Sequence, residues 1–202
     1  MDQPSIVLRP ANPTLDEGMV YARYLDQAAE GFFRFMLGSR VADIVAAAYT
    51  QPDNNYSYQN VTFVERDSVI VGMVSSFTAR QRLSFSDEPL KRAAGKRHVR
   101  MRTVAILCAP LLRILDTIAA GDFYILAMAV DEKLRGHGVG SMLMDYMEES
   151  AVASGCARLA LDVSARNKGA RRLYERRGMN VESAWPKLPF IPPLFVRMTK
   201  PL

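Results

Sequence analysis

The chain has 202 residues, of which 49% are hydrophobic and 23% charged, the usage of an ordinary globular protein with room for one sizeable core. Its longest apolar run, Val104 to Leu112, contains Pro110 and falls well short of the roughly 20 residues that cross a bilayer. The formal charge of +5 is local: six Lys or Arg and no acid stand between Lys91 and Arg102, and the rest of the chain is nearly balanced, so a general nucleic-acid footprint is not implied.

Two cysteines, Cys108 and Cys156, and two histidines, His98 and His137, build neither a disulfide framework nor a zinc cluster. The first thirty residues carry acids and lack a basic start followed by an apolar block, so they do not read as a secretory signal, and the expected setting is cytoplasmic. A single domain is expected across residues 1–202.

Ile6-Val7-Leu8 is a short β-prone run ended by Pro10. Thr14 with Glu17 three residues on is a capping-box start for a helix to about Asp26. From Gln27 to Tyr49 the pattern stays helical with breaks at Gly31 and Gly38. Tyr58–Glu65 and Ser68–Phe77 read as a hairpin turning at Arg66-Asp67, although the usual turn glycine is missing. Residues 84–120 then read as a helical insertion; the basic block within it lacks interleaved aromatics and reads as a solvated helix face.

Phe123–Val130 is nearly all apolar, as expected of a strand covered on both faces. A helix after Gly138, a strand through Leu159, Leu161 and Val163, and a helix carrying Ala170, Leu173 and Tyr174 follow. Met179–Trp185 and Leu194–Lys200 close the chain as two strands, joined by a proline-rich loop stiff enough to wall a pocket. The order of strands and helices makes the fold class α/β.

The most informative stretch is Arg135-Gly136-His137-Gly138-Val139-Gly140-Ser141, where a buried strand gives way to an amphipathic helix. Amides at a helix start have no helical partners, the helix dipole adds partial positive charge, and glycines let phosphate oxygens approach the main chain. A P-loop is excluded because no Lys-Ser or Lys-Thr follows the last glycine. The dinucleotide fingerprint is a poor second, since the spacing is G-x-G-x-G and the strand comes late in the chain.

The run Leu126 to Gly140, with Arg135, Gly138 and Gly140 in the R/Q-x-x-G-x-G/A pattern, resembles the acyl-CoA-binding motif of the GNAT superfamily of N-acyltransferases. Asn167, Ala170, Leu173, Tyr174, Glu175 and Gly178 resemble a second pattern of that family at matching spacing. The resemblance is strong over about 123–179 and looser elsewhere. It implies a mixed, mostly antiparallel sheet of six or seven strands flanked by helices, with the helical insertion between the third and fourth strands.

It further implies acetyl-CoA as co-substrate, no metal, and transfer to a primary amine of a small molecule or peptide. Arg135, Gly136, His137, Gly138, Val139, Gly140 and Ser141 would hold the CoA diphosphate, Met128, Ala129 and Val130 would pair with the pantetheine arm, and Asn167 and Ala170 would border the cofactor. An amide near Ala129 would stabilise the oxyanion. Tyr174 would meet the departing thiolate; between a phenol of pKa about 10 and a thiol of about 8.5 the proton transfer is uphill by roughly 2 kcal/mol. Some members carry a glutamate on the central strand where this chain has Tyr124, which leaves Glu30, in the break between the early helices, and Asp122 as candidate bases. Two alternatives stay open: a non-catalytic acyl-CoA sensor, and an acetylase of RNA-associated targets using the basic block. Nucleic acid and membrane partners are otherwise not expected, and homodimers are common among similar proteins.

Overall fold

The computed structural model describes residues 6–112, 117–187 and 190–202. Seven strands form one sheet: β1 (Ile6–Pro10), β2 (Val61–Arg66), β3 (Val69–Thr78), β4 (Asp122–Val130), β5 (Arg158–Ser164), β6 (Asn180–Trp185) and β7 (Phe195–Pro201). Their spatial order is β1-β2-β3-β4-β5-β7-β6. Every neighbouring pair is antiparallel except β4 and β5. The mixed, mostly antiparallel sheet expected from the sequence is the observed one, and β7 enters between β5 and β6, a detail that the chain order of the last two strands does not carry.

Helices cover both faces. On one lie α1 (Leu15–Ala28), α2 (Phe32–Leu37) and α3 (Val41–Tyr49), with the insertion's α5 (Glu88–Ala94) and α6 (His98–Leu112) stacked outside; α4 (Ala79–Arg82) is a single turn after β3. Tyr21, Tyr24, Leu25, Val45 and Tyr49 pack there against Phe63, Met73, Ala127 and Ala129. The other face carries α7 (Val139–Ala153) and α8 (Lys168–Arg176), whose Val139, Leu143, Met147 and Tyr174 meet Val74, Ile125, Leu159, Leu161 and Met198. Each fully buried Leu, Phe or Met side chain contributes about 2 kcal/mol. Apolar side chains on both faces of β4 explain its unbroken apolar run.

Local chemistry accounts for the smaller departures. Thr14 caps α1 by accepting from Glu17 N–H at 3.3 Å, but the Glu17 carboxylate turns away from the box to accept from Asn12 and pair with Arg9. The β2–β3 turn is made by Asp67 and Ser68, both at positive φ, one residue later than the spacing suggests; two short polar residues tolerate the left-handed region and supply the twist that glycine usually gives. Pro10 lies inside β1, which its position at the sheet edge permits. The insertion is helical as expected. Residues 113–116 within it, and Leu188 and Pro189 of the proline loop, lie outside the described residues.

Candidate active site

The site begins as a failure of pairing. The parallel ladder between β4 and β5 runs from Asp122↔Arg158 to Ile125↔Leu161 and stops, although β4 continues to Val130 and β5 to Ser164. Beyond that rung the two strands form the prongs of a fork. A bulge lies at the same level: Ser75 pairs with Ala127 and Ser76 with Ile125, so Leu126 has no partner on β3. The extra residue bends β4 and resets which side chains face which layer.

Register decides which main-chain groups face the fork. Asp131 N–H donates to Val71 O at 2.8 Å, which makes Val130↔Gly72 a pair whose N–H and C=O groups point away from each other. Alternation then turns the main-chain groups of Met128 and Val130 toward the fork and those of Ala129 toward Met73 on β3. The expectation at Ala129 is corrected by one residue, because strand geometry gives the open edge to its neighbours. Val130 O is met on that edge by Gln27 Nε2 at 3.4 Å.

The glycine turn opens directly from this prong. Gly136 and Gly138 have φ of 81° and 86°, and a Cβ built on either would meet no atom within 4 Å, so the space above the turn is open. Gly138 is the N-cap of α7 and supplies no side chain to its amides. His137 N–H donates to Leu134 O and Met142 N–H to Gly138 O, while the amides of Gly136, Gly138, Val139, Gly140 and Ser141 have no acceptor among the described residues. Unpaired amides at the positive end of a fifteen-residue helix suit a diphosphate. Gly140 has a different task, since a Cβ there would come within 3.0 Å of Leu173 Cδ2; its smallness brings α7 and α8 together. Arg135 is half-exposed beside Glu132 at 3.4 Å, and His137 is exposed with Nδ1 at 3.1 Å from Arg135 O.

Tyr174 lies in the cluster beneath α7 and α8 to which Met128 and Val130 also belong, with its hydroxyl unpaired among the described residues. Burial pushes its pKa up to about 12, because an ionised phenolate would lose hydration there. Asn167 caps α8 by accepting from Ala170 N–H at 3.0 Å, so its oxygen is engaged in holding the helix that carries Tyr174. Ala170 packs against the same cluster.

The opposite mouth of the fork is roofed by the α1–α2 turn. Buried Asp26 accepts from Arg34 N–H at 2.9 Å and fixes that turn, Glu30 adopts φ 51°, and the Glu30 carboxylate accepts from Ser164 Oγ on β5 at 3.1 Å. Gln27 and Glu30 thus touch one prong each. Asp122 is buried, paired with Arg158 Nε at 2.7 Å and Nη2 at 3.0 Å, and accepts from Ala119 N–H, so it is engaged as a structural ion pair at the start of β4. His98 is exposed, its Nδ1 at 3.1 Å from Gly95 O. Among the described residues no cluster of His, Cys, Asp or Glu is placed to hold a metal, and no helix is long and apolar enough to cross a membrane.

One group escaped the sequence reading. Tyr124 donates to Asp162 Oδ2 at 2.8 Å, and Arg197 Nε donates to Asp162 Oδ1 at 3.0 Å. Burial pushes the Asp162 carboxyl up while Arg197 pulls it down, and burial prevails. A lone Asp in an alternating strand gives no signal until the register sets Arg197 opposite it.

The fold recurs among known proteins. The profile of the acetyltransferase (GNAT) family matches residues 38–179. Among solved structures, the chain is similar to a crystal structure of an acetyltransferase, with a TM-score of 0.66 and 23% identity over 96% of this chain and 98% of that one. It is similar also to an N-acetyltransferase from Staphylococcus aureus Mu50, at 0.66 and 15% over 96% and 100%. A chain of the NatC complex bound to Gag peptide and CoA gives 0.56 and 13% over 98% and 99%. At these identities the likeness is one of fold. No curated protein matches the sequence.

Proposed function

Because the chain belongs to the GNAT acetyltransferase family, we propose that it transfers an acetyl group from acetyl-CoA directly to a primary amine of a small molecule or peptide. The observation that carries this reading is the continuity of a strand edge without a partner strand, offered by Met128 and Val130, with a turn in which the amides of Gly136, Gly138, Val139, Gly140 and Ser141 have no acceptor among the described residues. The first suits an extended amide-bearing arm, the second its diphosphate, and both fit acyl-CoA without rearranging the sheet.

In this reading Met128 N–H donates to the thioester oxygen as negative charge develops there, a role that preorganised donors fill at a gain of about 3 kcal/mol each. The amine nitrogen forms the new bond to the acyl carbon as the bond to sulfur breaks. Glu30 accepts the proton that the amine sheds, directly or through water. Tyr174 faces the departing sulfur. Between a phenol at about 12 and a thiol of about 8.5, complete transfer is uphill by about 5 kcal/mol, more than its unshifted pKa predicts. Tyr174 therefore acts as a hydrogen-bond donor to the thiolate, with solvent completing its protonation. Two free cysteines suit a reducing, cytoplasmic setting.

Calorimetric titration with coenzyme A tests the premise, with micromolar binding expected; no heat at millimolar ligand overturns it. Incubation with acetyl-CoA and a panel of amines, polyamines and peptides then separates enzyme from sensor. Acceptor-dependent release of free thiol is expected of the enzyme, and binding without release would assign the sensor instead.

A further inference from the structure

A buried polar cluster stands where the fork opens. Tyr124 is on β4 opposite Ala160, one rung before the ladder ends, and Asp162 is the first residue of β5 beyond the last rung. Arg197 lies directly across from Asp162 on β7 and grips it with two nitrogens. The Tyr124 ring spans from one prong to the other, its hydroxyl on Asp162 and its face 5.9 Å from the Arg197 guanidinium. Arg197 also donates to Thr117 O, at the end of the insertion. The Asp162 and Arg197 side chains are 1% and 7% exposed, so the ion pair has lost nearly all hydration.

Burying such a pair is a poor route to stability, since apolar residues of the same volume serve as well or better. Its worth must lie in geometry. Asp162 is drawn toward β7 by a two-point contact while a rigid phenol props it away from β4, at the one level where the strands must begin to part. We propose that Tyr124, Asp162 and Arg197 are positioning residues that set the width of the fork and thereby its capacity for the pantetheine and acyl arm. The Thr117 contact links that width to the insertion. This rests on the acyl-CoA reading above.

The test separates the fork from the glycine turn by titrating two ligands, coenzyme A and 3′-phospho-ADP, the latter lacking the arm that would enter the fork. Tyr124→Leu removes the prop and Tyr124→Phe keeps the ring without the hydroxyl. The Leu variant is expected to bind coenzyme A about tenfold more weakly and 3′-phospho-ADP within about twofold of the parent, with the Phe variant restored to within about threefold for both. Arg197→Lys, which keeps the charge and loses the two-point grip, is expected to lie between them for coenzyme A alone. Retained binding of 3′-phospho-ADP also reports that the variant has folded. Equal loss of both ligands in each variant, or coenzyme A affinity unchanged in the Leu variant, overturns the proposal while leaving the acyl-CoA reading intact. If the parent binds neither ligand, the acyl-CoA reading fails and this one with it.

Discussion

The two mouths of the β4–β5 fork are built by different means. On the α7 side everything that would grip a diphosphate comes from one continuous stretch, strand to turn to helix, and most of it is main chain. On the α1–α2 side the fork is roofed by groups from distant parts of the chain: Gln27 and Glu30 from one turn, Ser164 from β5, and α2 held by arginines of the insertion. A ligand common to a whole family can be held by backbone geometry that tolerates sequence change around it. A ligand particular to one protein must be held by side chains, and those are assembled only by the fold.

The largest effect should come from breaking the backbone side. Gly138→Val forces a β-branched residue into φ 86° and sets its methyl groups over the amides, where nothing now stands within 4 Å. Coenzyme A affinity should fall about 100-fold by calorimetry with the sheet intact by circular dichroism; affinity within tenfold would place the diphosphate elsewhere. Tyr174→Phe should lower kcat about 100-fold and leave the KM for acetyl-CoA within about twofold, since the phenol acts on charge that develops only as sulfur departs. A parallel rise in KM would make Tyr174 a packing residue.

The same tyrosine carries a pH dependence of stability. Its pKa is raised from 10.0 to about 12 on folding, so the folded state holds the proton more tightly. The associated stability is fully present below about pH 10 and is lost between about pH 10 and 12, amounting to about 2–3 kcal/mol. Tyr174→Phe should flatten that part of the alkaline unfolding curve relative to the parent.

The contrast between the two mouths also explains what could be read from the sequence. Arg135 to Ser141 and the helix behind them were legible because a glycine pattern, a buried strand and a 3,4 periodicity lie within some thirty consecutive residues. Which of Met128, Ala129 and Val130 turns its main chain outward was not legible, because a strand's parity depends on its partner: only the pairing of Asp131 with Val71 shows that Met128 and Val130 face outward. Asn167, expected to border the cofactor, has its side-chain oxygen on Ala170 N–H as the cap of α8, a contact that only the helix start reveals. Asp162 and Arg197 were invisible, since neither stands out in its own strand and their meeting requires β7 to lie between β5 and β6. Asp122 reads as a free carboxylate until its bidentate bond to Arg158, thirty-six residues on, is seen.

A smaller effect is expected across the fork. Glu30→Gln should lower kcat/KM for the amine about tenfold near neutral pH and leave coenzyme A affinity within about twofold. A primary amine of pKa about 10 sheds its own proton as the medium becomes alkaline, so the parent-to-variant ratio should shrink toward one as pH approaches that value. A ratio constant with pH would make Glu30 a positioning residue for β5 through Ser164.

The smallest effect tests how the insertion serves the side-chain mouth. Arg97 Nη1 donates to Leu37 O at 3.3 Å and Arg100 Nη2 to Phe35 O at 2.9 Å, so two cations of the basic block close the negative end of α2, the helix that begins just after Glu30. Gly38 makes room, since a Cβ there would come within 2.7 Å of Arg97 Nη1. A charge-assisted bond to a helix terminus at a partly exposed site is worth about 0.5–1 kcal/mol. Arg97→Gln should lower the unfolding free energy by that amount in urea, with Arg97→Lys recovering part of it, and coenzyme A affinity should be unchanged because α2 lies on the other mouth. A loss of coenzyme A affinity in Arg97→Gln would mean that the insertion reaches the diphosphate side, and the division between a backbone-built and a side-chain-built mouth would have to be redrawn.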